Sequence, residues 1–205
     1  MGLFKSHRDA NPTFPDIEGK HILVVGMGVS GAAAAALLAA RGAVVTVTDS
    51  ASVPDAADEI PALEARGVRF ELGGHEPASF ARADMIVVSP GVPHTMPLIR
   101  EASAGGVPVL GELELASRFI RMPIIAVTGT NGKTTTTTLL GYLLSRSGFR
   151  VVVGGNIGTP LTTLADAAET ADVAVVEVSS FQLDTIDTFR PDISVILNVT
   201  PDHLD

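Results

Sequence analysis

The feature that most constrains the fold is a series of short apolar runs, rich in β-branched residues, that alternate with Ala- and Leu-rich stretches. The first five runs are residues 21–25, 44–48, 68–71, 85–88 and 107–110. Stretches of helical length, such as residues 31–41 and 97–104, separate most of them. Strands that are apolar on both faces and alternate with helices are typical of a parallel sheet covered on both sides. The pattern therefore predicts an α/β fold.

A second series of the same kind begins at Pro123. Its strand candidates are residues 124–127, 151–153, 173–178 and 193–197, and leucines at helical spacing predict a helix over residues 133–147. We therefore expect two α/β domains, residues 18–118 and residues 119–205, with a linker placed within residues 115–122. Residues 1–17 contain prolines and several charges and are predicted to form a flexible leader.

The composition of the chain limits its partners. The 205 residues include 14 Lys and Arg against 23 Asp and Glu, which gives a formal charge of −9. This charge opposes binding to nucleic acid or to an acidic membrane surface, so we expect neither partner. There is no cysteine, which excludes disulfides and thiolate chemistry and is compatible with a reducing compartment.

A charge-free segment, residues 22–40, is long enough to span a bilayer as one helix. Gly26, Gly28 and Gly31 interrupt it after a β-branched run, so a strand, a turn and a helix are the better interpretation. With no cleavable signal peptide evident, the expected location is cytoplasmic.

The glycine turn, residues 26–31 (GMGVSG), follows the first predicted strand and precedes a predicted helix. In this context glycines let a pyrophosphate approach the backbone at a helix N-terminus. Asp49, at the end of the next strand, is in the place of an acid that accepts a ribose hydroxyl. The motif predicts a site for a dinucleotide or another nucleoside diphosphate and does not choose between them. The alternative is a tight turn that serves only packing.

The phosphate loop, residues 128–135 (TGTNGKTT), lies directly after a strand candidate and before a predicted helix. It offers backbone N–H groups, the ammonium of Lys133 and threonine hydroxyls, which are the groups that a nucleotide phosphate and its Mg²⁺ require. The spacing is shorter than in the commonest phosphate loop, whose first glycine would fall at Val127. Lys133 is the only cation between Met122 and Leu144. The alternative is a helix-starting turn with an exposed lysine.

Polar residues follow three later strand candidates. Glu177 lies within the apolar run 173–178, where an unpaired carboxylate is costly to bury. We expect Mg²⁺ beside the phosphate loop as its partner, and the alternative is a salt bridge to a distant arginine. Asn156 and His203 also follow strands, at the edge where parallel sheets place ligands. The alternatives are a backbone role for Asn156 and an exposed tail position for His203.

Together these segments resemble the Mur ligases, ATP-dependent enzymes that add amino acids to peptidoglycan precursors. The resemblance covers about residues 18–205, and its most specific motifs are TGTNGKTT, GGNIG, VEVSSFQL and NVTPDHLD, with SPG at residues 89–91 in support. It implies a Rossmann-like domain followed by an incomplete phosphate-loop ATPase domain. It also implies ATP and Mg²⁺ as cofactors, UDP-N-acetylmuramoyl-L-alanine and D-glutamate as substrates, and amide formation through an acyl phosphate.

The resemblance assigns roles to individual residues. Those implied for the uridine diphosphate part of the substrate are Val29, Ser30, Asp49, Ser50 and Gly91. Those implied for ATP are Gly129, Thr130, Asn131, Gly132, Lys133, Thr134 and Thr135. Thr134 and Glu177 would hold one Mg²⁺, whereas Asn156 and His203 match positions that contact the substrate, and His203 also matches the second metal region. The implied catalytic residues are Lys133, Glu177 and His203.

Two departures from the family pattern limit what the resemblance implies. Ala51 stands where some relatives carry an arginine near the uracil. The chain stops at Asp205, before the family's carbamylated lysine and third domain, so we expect an N-terminal portion that is inactive alone. The full-length family enzyme is expected to be a monomer, whereas an incomplete second sheet should favour self-association of this chain.

Two other interpretations stay open. A folylpolyglutamate-synthase-like ligase shares the short phosphate loop, although it has no reason to carry a first domain with GMGVSG. A non-catalytic nucleotide-binding module would keep both glycine-rich sites without turnover.

Overall fold

The computed structural model describes residues 17–167 and 170–201 and divides them into two units, the first ending at Leu115 and the second beginning at Ala116. The first unit contains one parallel sheet in the order β3-β2-β1-β4-β5. Its strands are β1 (His21–Val25), β2 (Val44–Asp49), β3 (Arg69–Leu72), β4 (Met85–Val88) and β5 (Val109–Gly111). The chain order reverses between β1 and β4, which opens a crevice at the carboxyl ends of these strands.

Helices cover both faces of the first sheet because its central strands are apolar on both sides. They are α1 (Val29–Ala40), α2 (Ile60–Glu64), α3 (Pro77–Arg82) and α4 (Pro97–Ala104), with a 3-10 turn at Ala57–Glu59. The helix α5 (Glu112–Ser117) follows β5 directly. Alanines and leucines, which favour helix, make up most of α1, and this helix packs against β1 and β2. On one sheet face, Leu23 and Ile86 pack with Phe80 of α3 and Ile99 of α4.

The second unit contains a parallel sheet in the order β7-β8-β6-β9. Its strands are β6 (Ile124–Thr128), β7 (Val151–Gly155), β8 (Val173–Glu177) and β9 (Ile193–Ile196), and its helices are α6 (Lys133–Arg146), α7 (Leu161–Ala167) and α8 (Ser180–Leu183). Gly141 of α6 lies against Val153, and Leu164 of α7 lies against Gly154. Successive strand residues point to opposite faces, so α6 and α7 cover opposite faces of the sheet.

Apolar side chains remain exposed along one edge of this second sheet. β9 is an edge strand, and Ile193 and Ile196 are 42% and 68% exposed. On α6, Leu139, Tyr142 and Leu143 are also exposed. Apolar side chains of β9 and α6 are therefore open to solvent in the described residues.

An ion pair aligns the amino ends of β7 and β8. The Arg150 guanidinium donates to both carboxylate oxygens of Asp172, at 2.6 and 3.1 Å, and the Arg150 backbone N–H donates at 2.8 Å. The side-chain hydrogen bonds, followed by the backbone one, lower the pKa of Asp172 to about 2. The stabilisation is therefore complete above the ordinary aspartate pKa and is lost as the pH falls through about 2. The pair is exposed and contributes mainly to alignment.

The predicted strands agree with the structure to within two residues at each end. The division between the two units falls inside the segment predicted as a linker, residues 115–122. Leu115 and Ala116 belong to α5 and are fully buried, and Ile120 and Met122 are also buried, because the apolar residues of this segment turn inward while Arg121 stays outside. The sequence pattern did not predict five of the helices, which are α2, α3, α5, α7 and α8. The predicted leader lies outside the described residues except for Ile17, which is buried.

The charge-free segment 22–40 divides into most of β1, a turn and α1. Within residues 17–167 and 170–201, no helix combines the length and the apolar character needed to cross a membrane.

The glycine turn between β1 and α1 leads to a stability prediction. A Cβ on Gly31 would lie 1.9 Å from the carbonyl oxygen of Gly26, whereas a Cβ on Gly28 would meet no atom within 4 Å. Gly31→Ala should therefore lower the free energy of unfolding by about 2 kcal/mol, because the backbone must move apart. Gly28→Ala is the matched control and should change it by less than about 0.5 kcal/mol, since its φ of −86° suits any residue. Urea unfolding measures both, and equal losses in the two variants would contradict the packing argument.

Candidate functional site

The phosphate loop connects β6 to α6 through two glycines in the left-handed region. Gly129 has a φ of +143° and Gly132 a φ of +83°, conformations that residues with a side chain rarely adopt. No side chain caps the N-terminus of α6, so the N–H groups of its first turn are left to other acceptors. By contrast, Ser179 and Gln182 form a complete capping box at α8. The 14-residue helix α6 therefore presents open donors and the positive end of its dipole to an anion.

Lys133, the first residue of α6, folds back over this loop. Its ammonium donates to the carbonyl oxygens of Gly129 at 2.8 Å and Thr130 at 3.0 Å. No carboxylate pairs with it among the residues that the structure describes. Because both acceptors are neutral, a phosphate oxygen would be a stronger partner for the ammonium. The arrangement keeps a cation at the loop in readiness for an anionic ligand.

Glu177, the last residue of β8, joins the phosphate loop to the end of β7. Its side chain is 3% exposed. The Thr134 hydroxyl, from the first turn of α6, donates to one carboxylate oxygen at 2.8 Å. The Asn156 amide, directly after β7, donates to the other oxygen at 3.1 Å. The strand order, with β8 between β7 and β6, therefore brings three of the predicted site residues into contact.

The carboxylate of Glu177 is buried without a cation in the described part of the chain. No Lys, Arg or His there forms an ion pair with it, so the alternative of a salt bridge to an arginine finds no support. The same residues contain no group of three or more His, Cys, Asp and Glu side chains that could enclose a metal. Mg²⁺ typically takes one or two protein oxygens and completes its shell with phosphate and water. The side-chain oxygens of Thr134 and Glu177 therefore fit as the protein ligands of a Mg²⁺ ion that binds together with a nucleotide.

In the first unit, side chains from two neighbouring strands hold the glycine turn. Asp49, at the end of β2, accepts the N–H of Met27 at 2.6 Å and that of Ala51 at 2.8 Å, one on each carboxylate oxygen. The buried Ser89 hydroxyl, directly after β4, donates to the carbonyl of Gly26 at 2.8 Å. In this structure Asp49 therefore fastens the turn, a role that the comparison with ribose-binding acids did not suggest.

The other residues predicted for the uridine diphosphate moiety surround the crevice at the carboxyl ends of β1, β2 and β4. Val29 and Ser30 form the first turn of α1, which begins two residues earlier than predicted, and Val29 is 63% exposed. Gly28 precedes this helix without a side-chain cap. Ser50 and Gly91 are exposed after β2 and β4. The crevice therefore combines open helix N–H groups with accessible backbone.

Two residues in contact with these loops were not among the predicted site residues. Ser89 begins the SPG motif, which ends at the predicted residue Gly91, and Asn198 begins the NVTPDHLD motif, which contains the predicted residue His203. Asn198 contacts the backbone of Asn131 in the phosphate loop. Ser89 and Asn198 are both polar residues that closely follow an apolar strand. This position in the sequence could have identified them as candidate site residues. His203 lies outside the described residues.

A parallel α/β unit with an open glycine turn, followed in one chain by a parallel unit with a glycine-rich loop between strand and helix, defines an α/β protein of the phosphate-loop class. The model of the MurD-like N-terminal domain of Mur ligases matches residues 20–111, and the model of the Mur ligase middle domain matches residues 127–205. The chain belongs to the Mur ligase family.

Relatives and solved structures agree with this assignment. The chain is 55% identical over 189 residues to the UDP-N-acetylmuramoylalanine–D-glutamate ligase of Desulfosudis oleivorans, an alignment that covers 92% of this chain and 41% of the relative. The protein of the same name from Desulfatibacillum aliphaticivorans is 51% identical over 190 residues, with 93% and 42% covered. The chain thus spans about two fifths of the length of these relatives. UDP-N-acetylmuramate:L-alanyl-gamma-D-glutamyl-meso-diaminopimelate ligase from Neisseria meningitides shares the fold, with a TM-score of 0.58 at 23% identity over 91% of this chain and 63% of that one.

Glu177→Gln tests whether the buried charge serves a metal. The substitution keeps the shape and removes a desolvated charge that has no cation, so the ligand-free variant should melt at the wild-type temperature or up to about 3 °C higher. In the wild-type protein, ATP with Mg²⁺ should raise the melting temperature more than ATP alone does. This additional rise should be absent in Glu177→Gln.

Asp184→Asn is the matched control, because it removes an exposed acid of the same unit and should preserve the Mg²⁺ increment. Thermal unfolding in ATP with and without Mg²⁺ measures these effects. If Mg²⁺ still adds the full wild-type rise in melting temperature to Glu177→Gln in ATP, the Glu177 carboxylate does not bind the metal.

Proposed function

We propose that this chain is the ATP-binding and UDP-substrate-binding portion of a ligase that joins D-glutamate to UDP-N-acetylmuramoyl-L-alanine during peptidoglycan precursor synthesis. The observation that carries the ATP part is the uncapped N-terminus of α6 with Lys133 on the loop and the Thr134–Glu177 pair beside it. The relatives that are 51% and 55% identical supply the identity of the reaction. The proposed location of this reaction is the cytoplasm.

In the proposed ATP site, the first-turn N–H groups of α6 bind phosphate oxygens, and Thr130, Asn131, Gly132 and Thr135 complete the surrounding loop. Lys133 exchanges its two carbonyl partners for oxygens of the γ-phosphate. Thr134 and Glu177 hold Mg²⁺, which, when bound, neutralises phosphate charge. Asn156 keeps Glu177 in place. Asn156 is also proposed to contact the substrate.

The reaction then proceeds in two steps. A carboxylate oxygen of UDP-N-acetylmuramoyl-L-alanine attacks the γ-phosphorus, and the bond to the β–γ bridging oxygen breaks to release ADP. The amine of D-glutamate attacks the acyl carbon, phosphate leaves, and the nitrogen loses a proton to give the amide. This chain contributes positioning and charge neutralisation. His203 is proposed to contact the substrate and the second metal region.

In the proposed UDP site, the pyrophosphate lies at the first turn of α1, where Val29 and Ser30 supply open N–H groups. Ser50 and Gly91 line the same crevice from β2 and β4. Asp49 supports this site through the turn, because each of its carboxylate oxygens already accepts a backbone N–H. The names of the relatives that are 51% and 55% identical favour a uridine nucleotide over a dinucleotide as the ligand.

The ATP site is tested by Lys133→Ala. In the wild-type chain, Mg-ATP at about 100 times its Kd should raise the melting temperature by roughly 5 °C or more. Lys133→Ala should lose this rise because the ammonium is the only side-chain cation at the loop among the described residues, yet its ligand-free melting temperature should stay within about 3 °C. Arg146→Ala removes a cation from the last turn of the same helix and should keep the full rise. Equal shifts in all three proteins would exclude Lys133 from the site.

The UDP site is tested by amide chemical shifts of residues 26–31 in ¹⁵N-labelled protein. UDP should shift these signals, since its pyrophosphate accepts from the N–H groups at the start of α1. NAD at the same concentration should leave them in place. A response to NAD without a response to UDP would refute the proposed substrate class.

A further inference from the structure

The segment that follows β9 runs beside the phosphate loop and pairs with its backbone. The N–H of Thr130 donates to the carbonyl of Asn198 at 3.1 Å. The Asn198 side-chain amide accepts from the N–H of Asn131 at 2.9 Å and donates to the carbonyl of Asn131 at 2.9 Å. One side chain therefore satisfies both backbone groups of a loop residue, as a neighbouring strand would.

The hydroxyl of Thr130 extends this pairing by two residues. It donates to the carbonyl of Thr200 at 3.1 Å and accepts the N–H of Thr200 at 3.0 Å. The two backbones approach closely, because a Cβ on Gly129 would lie 3.1 Å from the carbonyl oxygen of Asn198. Residues 129–131 of the loop are therefore held in place by residues 198–200.

These contacts determine which N–H groups of the loop are open to a ligand. The amides of Thr130 and Asn131 are occupied by Asn198. The first hydrogen bond of α6 runs from the N–H of Thr136 to the carbonyl of Gly132, so the amides of Lys133, Thr134 and Thr135 precede the helical ladder. The backbone N–H groups that stay open to a phosphate are therefore those at the start of α6.

We propose that Asn198 is a positioning residue for nucleotide phosphate, acting by holding the loop so that the first-turn amides of α6 converge on one anion. The inference rests on the proposed ATP site and adds to it a residue that touches no ligand. The Asn198 side chain is exposed, so its contribution to the core is small. Its main effect should then be on ligand affinity.

The experiment compares Asn198→Ala with Val199→Ala. The second variant shortens the adjacent side chain, which is 85% exposed, and leaves the pairing intact. Both should melt within about 3 °C of the wild type. In Asn198→Ala, hydrogen exchange of the Asn131 amide should accelerate by about tenfold or more, and Mg-ATP affinity measured by calorimetry should fall by about tenfold, since two hydrogen bonds that orient the loop are lost. Val199→Ala should match the wild type in both measurements.

Thr130→Val provides a second route to the same loop, because it removes the hydroxyl that binds Thr200. In the double variant, the loss of Mg-ATP binding free energy should be smaller than the sum of the losses in Thr130→Val and Asn198→Ala. If Asn198→Ala does not fold, Asn198→Asp replaces it in both measurements, because it keeps the acceptor for the Asn131 N–H and loses the donor to the Asn131 carbonyl.

The outcomes separate the two proposals. A wild-type chain that binds no Mg-ATP refutes the proposed ATP site. A wild-type chain that binds Mg-ATP, together with an Asn198→Ala variant of unchanged affinity, refutes the positioning role alone. Equal losses of affinity in Asn198→Ala and Val199→Ala would also overturn it, because they would show a general effect of the segment.

Discussion

The buried carboxylate of Glu177 is the interaction on which the second unit's site depends. It ends the central strand β8 and receives hydrogen bonds from Thr134 on one side and Asn156 on the other. A charge in this position is stable only because each oxygen has a donor, and it has no cation among the residues described. The start of α6 and the end of β7 are thereby held at fixed places. The same contacts leave an unbalanced negative charge beside a loop suited to phosphate, which is the condition under which Mg²⁺ binds with its nucleotide.

Both glycine-rich loops follow one structural rule. Each is fastened by side chains from other segments, Asp49 and Ser89 for the glycine turn and Asn198 for the phosphate loop. In neither case does a side chain cap the helix that follows. The short helix α8 has a complete capping box instead. External support therefore permits helix N-termini to stay open, and open N-termini are what a pyrophosphate or triphosphate requires.

Much of the architecture could be predicted because a parallel sheet leaves a strong imprint on sequence. Its strands are apolar on both faces, and all nine were located to within two residues. Helices of four to seven residues leave little periodicity, and the last three residues of α5 fall within the predicted linker, residues 115–122. Leu115 and Ala116 are fully buried, and burial is decided by tertiary packing, which local patterns do not encode.

For the site, the sequence by itself determined which residues could perform the chemistry: a lysine within a glycine-rich loop, threonines after it and one acid inside an apolar strand. Such residue types are costly or conspicuous at those positions, so they are visible without coordinates. Only the tertiary structure decided their partners. The order β7-β8-β6-β9 places Asn156 and Thr134 on either side of Glu177, and the return of the chain after β9 places Asn198 against Asn131. Hydrogen bonds depend on distances of about 3 Å between residues that can lie tens of positions apart in sequence, and strand order sets those distances.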